Sequence, residues 1–302
     1  MKKKVLRLIL FLGITLVSIA AIVIGDNNCC TIVSTIGGVV AGLSIPKLGE
    51  YIVDLFDNRN WKSSLRKHER GKLIGKEDFI RISFAYLFRI KVDGKYFLVK
   101  NERGTGKYQP VGGVYKFTED EKLVLRSKYC AEDDDKIPID DSSRRDYRLR
   151  IKDKYIRSFY RHFKKGSGRE NIGNLGREFR EELIDTNILD PQIFADIKYR
   201  YIGRHITEVK YGDHFRCYEV LLADVCELEL TSDQEIAIRD LMSTSSDLYL
   251  FASDSEINSL GVKAGSADLA EKIGDHTKKI LVEAEDSLIK DHNVGKVYSC
   301  SI

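Results

Sequence analysis

The stretch Gly176-Arg177-Glu178-Phe179-Arg180-Glu181-Glu182-Leu183 holds the densest group of site-type side chains in the sequence. On an α-helix, Glu178, Glu181 and Glu182 stand at i, i+3 and i+4, so their carboxylates share one face. Like charges at that spacing repel, and a helix gains nothing by stacking them. Hard carboxylate oxygens are what Mg²⁺ or Mn²⁺ takes, above all when a substrate phosphate completes the coordination. The plain alternative is a solvated acidic face lined by Arg177 and Arg180. On the metal reading, Glu178, Glu181 and Glu182 are the candidate ligands, and Glu181 and Glu182 would carry any hydrolysis.

Upstream, the pattern is that of short strands. Phe79 to Ile90 is aromatic and β-rich, and Val92-Asp93-Gly94-Lys95 turns it into Tyr96-Phe97-Leu98-Val99-Lys100, a hairpin signal. The loop Arg103-Gly104-Thr105-Gly106-Lys107 follows, then Tyr108-Gln109-Pro110-Val111-Gly112-Gly113, a strand ending in paired glycines. Some sixty residues separate Gly113 from Arg177. The first part of that interval, Glu119 to Ser143, carries Asp133-Asp134-Asp135 and Asp140-Asp141 and reads as a solvated or mobile loop. The second, Asp146 to Lys165, is basic and aromatic, with Ile156, Phe159, Tyr160 and Phe163 at helical core spacing. It reads as a helix packed on the sheet or as a basic wall around an anion.

Downstream, Ile193 to Ile202 and Phe215 to Ala223 are strand-like. Arg200, Tyr201 and Arg204 lie in Arg200-Tyr201-Ile202-Gly203-Arg204-His205, where aromatic faces could stack on bases and guanidinium forks could hold phosphate. A strand with snorkelling arginines is the equal alternative. Thr231 to Glu235 has the form of a helix N-cap, and a last helix is expected around His276 to Leu281.

The N-terminal part is of another kind. After Lys2, Lys3, Lys4 and Arg7, an uncharged apolar run from Leu8 to Gly25 is long enough to cross a bilayer core of about 30 Å. Asp26-Asn27-Asn28 is a polar turn, and a second apolar run goes from Cys29 to Pro46. Basic residues lie outside both runs, including Lys47, Arg59, Lys62, Arg66 and Lys67 on the far side, and the turn has none. The positive-inside rule then puts both termini in the cytoplasm of a multi-pass protein. A cleaved signal peptide would share the basic start, but a second span follows at once. Ser34, Gly38 and Gly42 form a small-residue ridge of the kind that lets membrane helices self-associate. The expected domains are a two-transmembrane hairpin over 1–57, a basic linker over 58–77 and an α/β domain over 78–302.

The 302 residues carry a net charge of +3, too balanced for duplex nucleic acid to be the partner on charge alone. The six cysteines have neither metal-type nor disulfide-type spacing, which suits a reduced compartment for the main domain.

Arg177-Glu178-Phe179-Arg180-Glu181-Glu182-Leu183 resembles the second half of the Nudix box, and Tyr108-Gln109-Pro110-Val111-Gly112-Gly113 is similar to the opening of Nudix domains. The resemblance implies a Nudix-like α/β/α sandwich with a mixed sheet and an insertion at about 114–170 inside the box. Gly112, Gly113 and Arg177 then join Arg200, Tyr201 and Arg204 as ligand-binding candidates, and Glu235 is a candidate for the further glutamate that such enzymes take from a late element. Glu170 stands near the place of the box's upstream glutamate, and Ile184-Asp185 replaces its closing Gly-apolar pair. These departures favour nucleotide sensing over turnover. A membrane hairpin ahead of an interrupted Nudix-like domain resembles the two-transmembrane Nudix effectors of CBASS, the bacterial cyclic-oligonucleotide anti-phage systems. That resemblance implies a cyclic di- or trinucleotide as ligand, a homo-oligomer in the bacterial inner membrane, and membrane lipids as the target. The alternative is a membrane-tethered Nudix hydrolase of a nucleoside diphosphate-linked compound.

Overall fold

The computed structural model describes residues 2–56, 61–101, 105–141, 143–262, 265, 272–282, 288–290 and 293–302. Arg59, Arg103 and Gly104, singled out above, lie outside the described residues. The chain divides into two compact units, Met1–Lys67 and His68–Ile302.

In the first unit, α1 (Lys2–Asn27) and α2 (Thr31–Phe56) form a hairpin whose outer surface is apolar, with Leu6, Val17, Ile32 and Leu43 among the most exposed side chains. Leu6–Asn27 and Thr31–Gly49 are long and apolar enough to cross a membrane. The seam between them uses small residues. Thr15 Oγ1 donates to Ser44 Oγ at 3.0 Å, and a Cβ on Gly37 would come within 2.9 Å of the Ser18 carbonyl oxygen. Gly25 is equally confined by Ser34, whereas Gly38 and Gly42 have nothing within 4 Å of a built Cβ. The intrachain seam therefore runs along Gly37, Ala41 and Ser44. Of the ridge read from sequence, Ser34 touches the seam, and Gly38 and Gly42 face away from it.

Helix α3 (Trp61–Arg70) occupies part of the segment expected to be a linker. In the second unit, β1 (Phe79–Arg89) is the organising strand. Asp93 and Gly94, at φ 48° and 78°, turn β2 (Lys91–Val92) into β3 (Lys95–Lys100), the left-handed geometry that an Asp-Gly hairpin favours. Then come β4 (Tyr108–Gln109), β5 (Gly112–Val114), α4 (Glu119–Tyr129), β6 (Glu132–Asp133), β7 (Arg148–Lys152) and α5 (Asp153–Phe163). Helix α6 (Gly176–Phe179) runs directly into a π-helical turn at Arg180–Ile184. Strands β8 (Asp196–Ile206), β9 (Lys210–Gly212) and β10 (Cys217–Leu228), helix α7 (Ser232–Met242), β11 (Tyr249–Ala252), α8 (Asp254–Asn258), a 3₁₀ turn at Asp275–Ile280 and β12 (Val297–Ser301) complete the unit.

The main sheet has the order β12-β8-β10-β1-β7-β6, with β5 also pairing β1 and β9 pairing β10. It is mixed, because β1 and β10 run parallel while β1–β7, β1–β5 and β8–β10 are antiparallel. A smaller sheet has the order β11-β3-β2, with β4 on β3. Phe84, Tyr86 and Phe88 alternate along β1 onto one face. There Phe84 meets Phe159 and Phe163 of α5, and Phe88 meets Phe179 of α6. Leu87 lies on the opposite face, in a core with Tyr96, Leu98, Ala252, Ile257, Ile273 and Ile280. The sheet is thus covered by α5 and α6 on one side, and by the small sheet, α8 and the 3₁₀ turn on the other.

Two expectations are corrected. The acidic segment is a solvated loop only in part: Glu119–Tyr129 is helical, Asp134 to Asp141 is irregular and mostly exposed, and each aspartate of the triplet has a cationic partner. Arg126 pairs with Asp133, Arg81 with Asp134 and Arg150 with Asp135. Of the three, only Asp134 is buried with its partner; Asp133 and Asp135 pair at the surface. The element at His276 is a 3₁₀ turn, and the chain closes on β12 at the sheet edge instead.

Candidate functional site

Two glycines of β5 bring the glutamate helix onto the sheet. Gly112 has φ +152° and pairs with Leu87, and a Cβ there would overlap the Tyr86 carbonyl oxygen and lie 2.9 Å from Leu87 Cα. No side chain fits such a backbone approach. Gly113 leaves room for Glu178, since a Cβ at this position would overlap the carboxylate and sit 2.6 Å from its Cγ. The Gly112 N–H donates to Glu182 Oε2 at 3.0 Å. The paired glycines thus dock two of the three glutamates.

Arg177 organises the rest. Its Nε donates to Glu170 Oε1 at 2.7 Å, its Nη1 to Glu178 Oε1 at 2.5 Å and its Nη2 to the Val114 carbonyl at 3.0 Å. Glu181 Oε2 lies 3.6 Å from Nη1. Glu170 also accepts from the Lys116 N–H at 2.8 Å, which ties the two ends of the insertion together. Burial works against the charge on Arg177, but Glu170 and Glu178 hold its pKa above the usual value. Burial pushes the Glu178 carboxyl up, against the opposing pull of Arg177. The guanidinium, expected to grip a ligand, is instead committed to the protein's own carboxylates.

The π turn shifts the spacing of the glutamates. The Asp185 N–H donates to the Arg180 carbonyl at 2.9 Å, an i→i+5 closure. Glu178, Glu181 and Glu182 nevertheless line one cleft, of about 620 Å³, together with Gly112 and Gly113. That volume lies in the range of small-molecule sites. Lys100, Asn101, Gln109 and Leu248 contribute to it from the small-sheet side, and Ile137, Pro138, Asp140, Ser143, Asp146 and Arg148 from the insertion, with Lys116 beside them. The insertion is therefore a wall of the cleft rather than an appendage.

The donor set is hard oxygen, which suits Mg²⁺ or Mn²⁺. Its arrangement does not suit a cage: Glu178 Oε1 is bound by Arg177 and Glu182 Oε2 by Gly112. Among the described residues no group of three or more His, Cys, Asp and Glu side chains is placed to hold a metal ion.

The other candidates fall elsewhere. Arg204 and Asp224 are buried, with Arg204 Nε donating to Oδ1 at 2.6 Å and Nη2 to Oδ2 at 2.7 Å. The Tyr115 and Tyr201 hydroxyls donate to the same carboxylate at 2.7 and 3.2 Å. Arg204 and Tyr201 are thus parts of a core network, and Arg200 pairs with Glu229 on the outside of β8. None of the three lines the cleft. Glu235 lies on α7, paired with Arg239 at 2.6 Å, and is also outside it. Lys116, Asp146 and Arg148 were missed as individual residues. Arg148 was signalled by the basic character of the segment after Asp146, and Lys116 by nothing in the sequence. The arginines of α5 do not form the basic wall, because Arg157 is spent on Glu69 and Arg161 on its own helix backbone.

A family model described as the SMODS-associated NUDIX domain matches residues 79–281. No curated protein matches the chain. Two crystal structures of a bifunctional NMN adenylyltransferase/ADP ribose pyrophosphatase from Francisella tularensis are similar at 10% identity. One is complexed with AMP and a Mn ion; the TM-scores are 0.26 and 0.25. The chain spans about half the length of these proteins, with 80% of it and 51% of theirs covered.

Proposed function

The chain belongs to the SMODS-associated NUDIX domain family, and from that premise we propose that it is a membrane-anchored effector whose Nudix-like domain receives a nucleotide second messenger. The observation that carries this reading is the cleft of about 620 Å³ at the glutamate helix, in a chain that also bears two apolar helices of membrane-spanning length. The family's description associates the domain with SMODS, which agrees with the resemblance to CBASS effectors read from the sequence. The ligand proposed is a cyclic di- or trinucleotide, and the setting a CBASS-type anti-phage system. Both termini lie in the cytoplasm of a bacterial cell, the hairpins assemble as a homo-oligomer in the inner membrane, and ligand binding drives them to disrupt it. Two spans per chain cannot enclose a pore, so assembly is part of the proposal.

The carboxylates support reception better than turnover, because Arg177 holds one oxygen of Glu178 and the Gly112 N–H one oxygen of Glu182, and the three carboxylates do not converge on a common point. The hydrolase alternative, Mg²⁺ held by Glu178, Glu181 and Glu182 at a pyrophosphate, requires them to converge. In cells, co-expression with a cyclic-nucleotide synthetase should cause dye leakage that persists in Glu182→Gln and disappears when residues 1–57 are removed. Leakage that survives loss of the hairpin would refute the proposal.

A further inference from the structure

The cleft has an acidic side and a mixed one. Glu178, Glu181 and Glu182 form the first; Lys116 and Arg148, with Asp140 and Asp146, belong to the second. Asp146 Oδ1 accepts from Lys116 Nζ, and Asp146 Oδ2 lies 3.4 Å from Arg148 Nη1. With Asp140 also on this side, the two cations balance two carboxylates, so what the wall offers an anion is the donor capacity of Lys116 and Arg148 rather than a net charge.

The two arginines of the cleft differ in what they have left to offer. Arg177 has its guanidinium filled by Glu170, Glu178 and Val114. Among the described residues, Arg148 makes one ion pair, that 3.4 Å contact, and its side chain remains 32% exposed. A guanidinium has five donors in a fixed fork, so one 3.4 Å pair leaves most of the donors of this cleft-lining residue for a ligand. Its backbone is fixed: Arg148 pairs with Ser83 of β1, and its carbonyl accepts from the Asp134 N–H at 3.3 Å. Leu149 and Ile151, the next residues on the alternate face, are buried. The paired strand fixes the point from which the side chain reaches, so only side-chain freedom is lost on binding.

Resting on the reading of the cleft as a nucleotide site, we infer that Arg148, positioned by Asp146 and assisted by Lys116, is an anion subsite that grips a phosphate of the ligand across the cleft from the glutamates. The insertion would then exist to supply it. An anion that depended on a metal at the glutamates would need divalent cation to bind; one gripped by Arg148 does not.

Full-length protein in detergent is titrated calorimetrically with inorganic pyrophosphate and with cyclic di-AMP, in EDTA and again in Mg²⁺. Arg148→Ala should weaken both in EDTA by roughly tenfold or more, the loss of a charge-assisted hydrogen bond. Arg148→Lys should recover part of the affinity, and Glu182→Gln should not reproduce the loss. Thermal unfolding checks the fold of each variant, with Arg148→Gln as a second truncation of the fork. Wild-type binding that Arg148→Ala and Arg148→Gln leave unchanged overturns the subsite and spares the cleft. A wild-type chain that binds neither compound at millimolar concentration overturns the cleft reading itself.

Discussion

Gly112 and Gly113 are adjacent and chemically identical, yet an alanine at each should do different things. At Gly112 the added Cβ meets backbone, the Tyr86 carbonyl and Leu87 Cα at 2.9 Å, with φ at +152°. Strain of about 1–3 kcal/mol for the backbone conformation and about 1–3 kcal/mol for overpacking give a loss of about 2–6 kcal/mol. At Gly113 the three atoms nearest the Cβ all belong to the Glu178 side chain, which can swing into the cleft. The loss is then a charge-assisted hydrogen bond to Arg177, about 1.5–3 kcal/mol, partly offset by about 0.4–1 kcal/mol from the stiffer unfolded chain. The net cost is about 0.5–2.6 kcal/mol. A domain of this size loses roughly 2–4 °C in Tm per kcal/mol. Thermal unfolding of the full chain should therefore rank Gly112→Ala, down by roughly 4–24 °C, below Gly113→Ala, down by roughly 1–10 °C. The decisive sample is Gly113→Ala combined with Glu178→Ala. If Glu178 is the yielding partner, the glycine change costs almost nothing once that carboxylate is gone. A Gly113→Ala cost that stays the same in the Glu178→Ala background would refute the docking scheme.

Two further outcomes follow from charges outside the cleft. Hydrogen bonds from Arg157 hold the Glu69 carboxyl down at about 2, against the desolvation that opposes them. A depressed pKa adds stability above the unfolded value near 4.5 that is lost as pH falls through about 2. Glu69→Gln should thus cost about 1 kcal/mol at pH 7, after allowance for screening, with the gap to wild type closing on acidification; a gap that widens would contradict the assignment. Asp224→Asn should cost about 3–5 kcal/mol by stranding the buried Arg204 charge, and adding Arg204→Met should restore much of it. Chemical denaturation reads both, and a near-neutral Asp224→Asn would remove the network from the core.

Legibility in the sequence followed the range of the interactions. The strand at Phe79, the Asp-Gly hairpin, the apolar helices and the α7 capping box, in which Thr231 and Gln234 cap each other, are local patterns, and the structure has each of them. The three glutamates were legible because one helix carries them. Their partners were not: Glu170 reaches Arg177 across one turn and loop, but Arg148 and Lys116 come together only because β7 and β5 both pair with β1. Arg200, Tyr201 and Arg204 have a composition equally suited to a nucleotide site and to a strand with a buried ion pair. Asp224, remote in sequence, decides between them for Arg204 and Tyr201. The π turn left no sign in residue type, because it is a matter of one extra residue in the closure.

The central claim is that the cleft receives a nucleotide without consuming it. Full-length protein mixed with cyclic dinucleotides, cyclic trinucleotides and ADP-ribose in Mg²⁺ can be followed by calorimetry and by chromatography of the same samples. The account predicts saturable binding of a cyclic nucleotide that is recovered intact. Steady release of nucleoside monophosphate, abolished by Glu182→Gln, would contradict it.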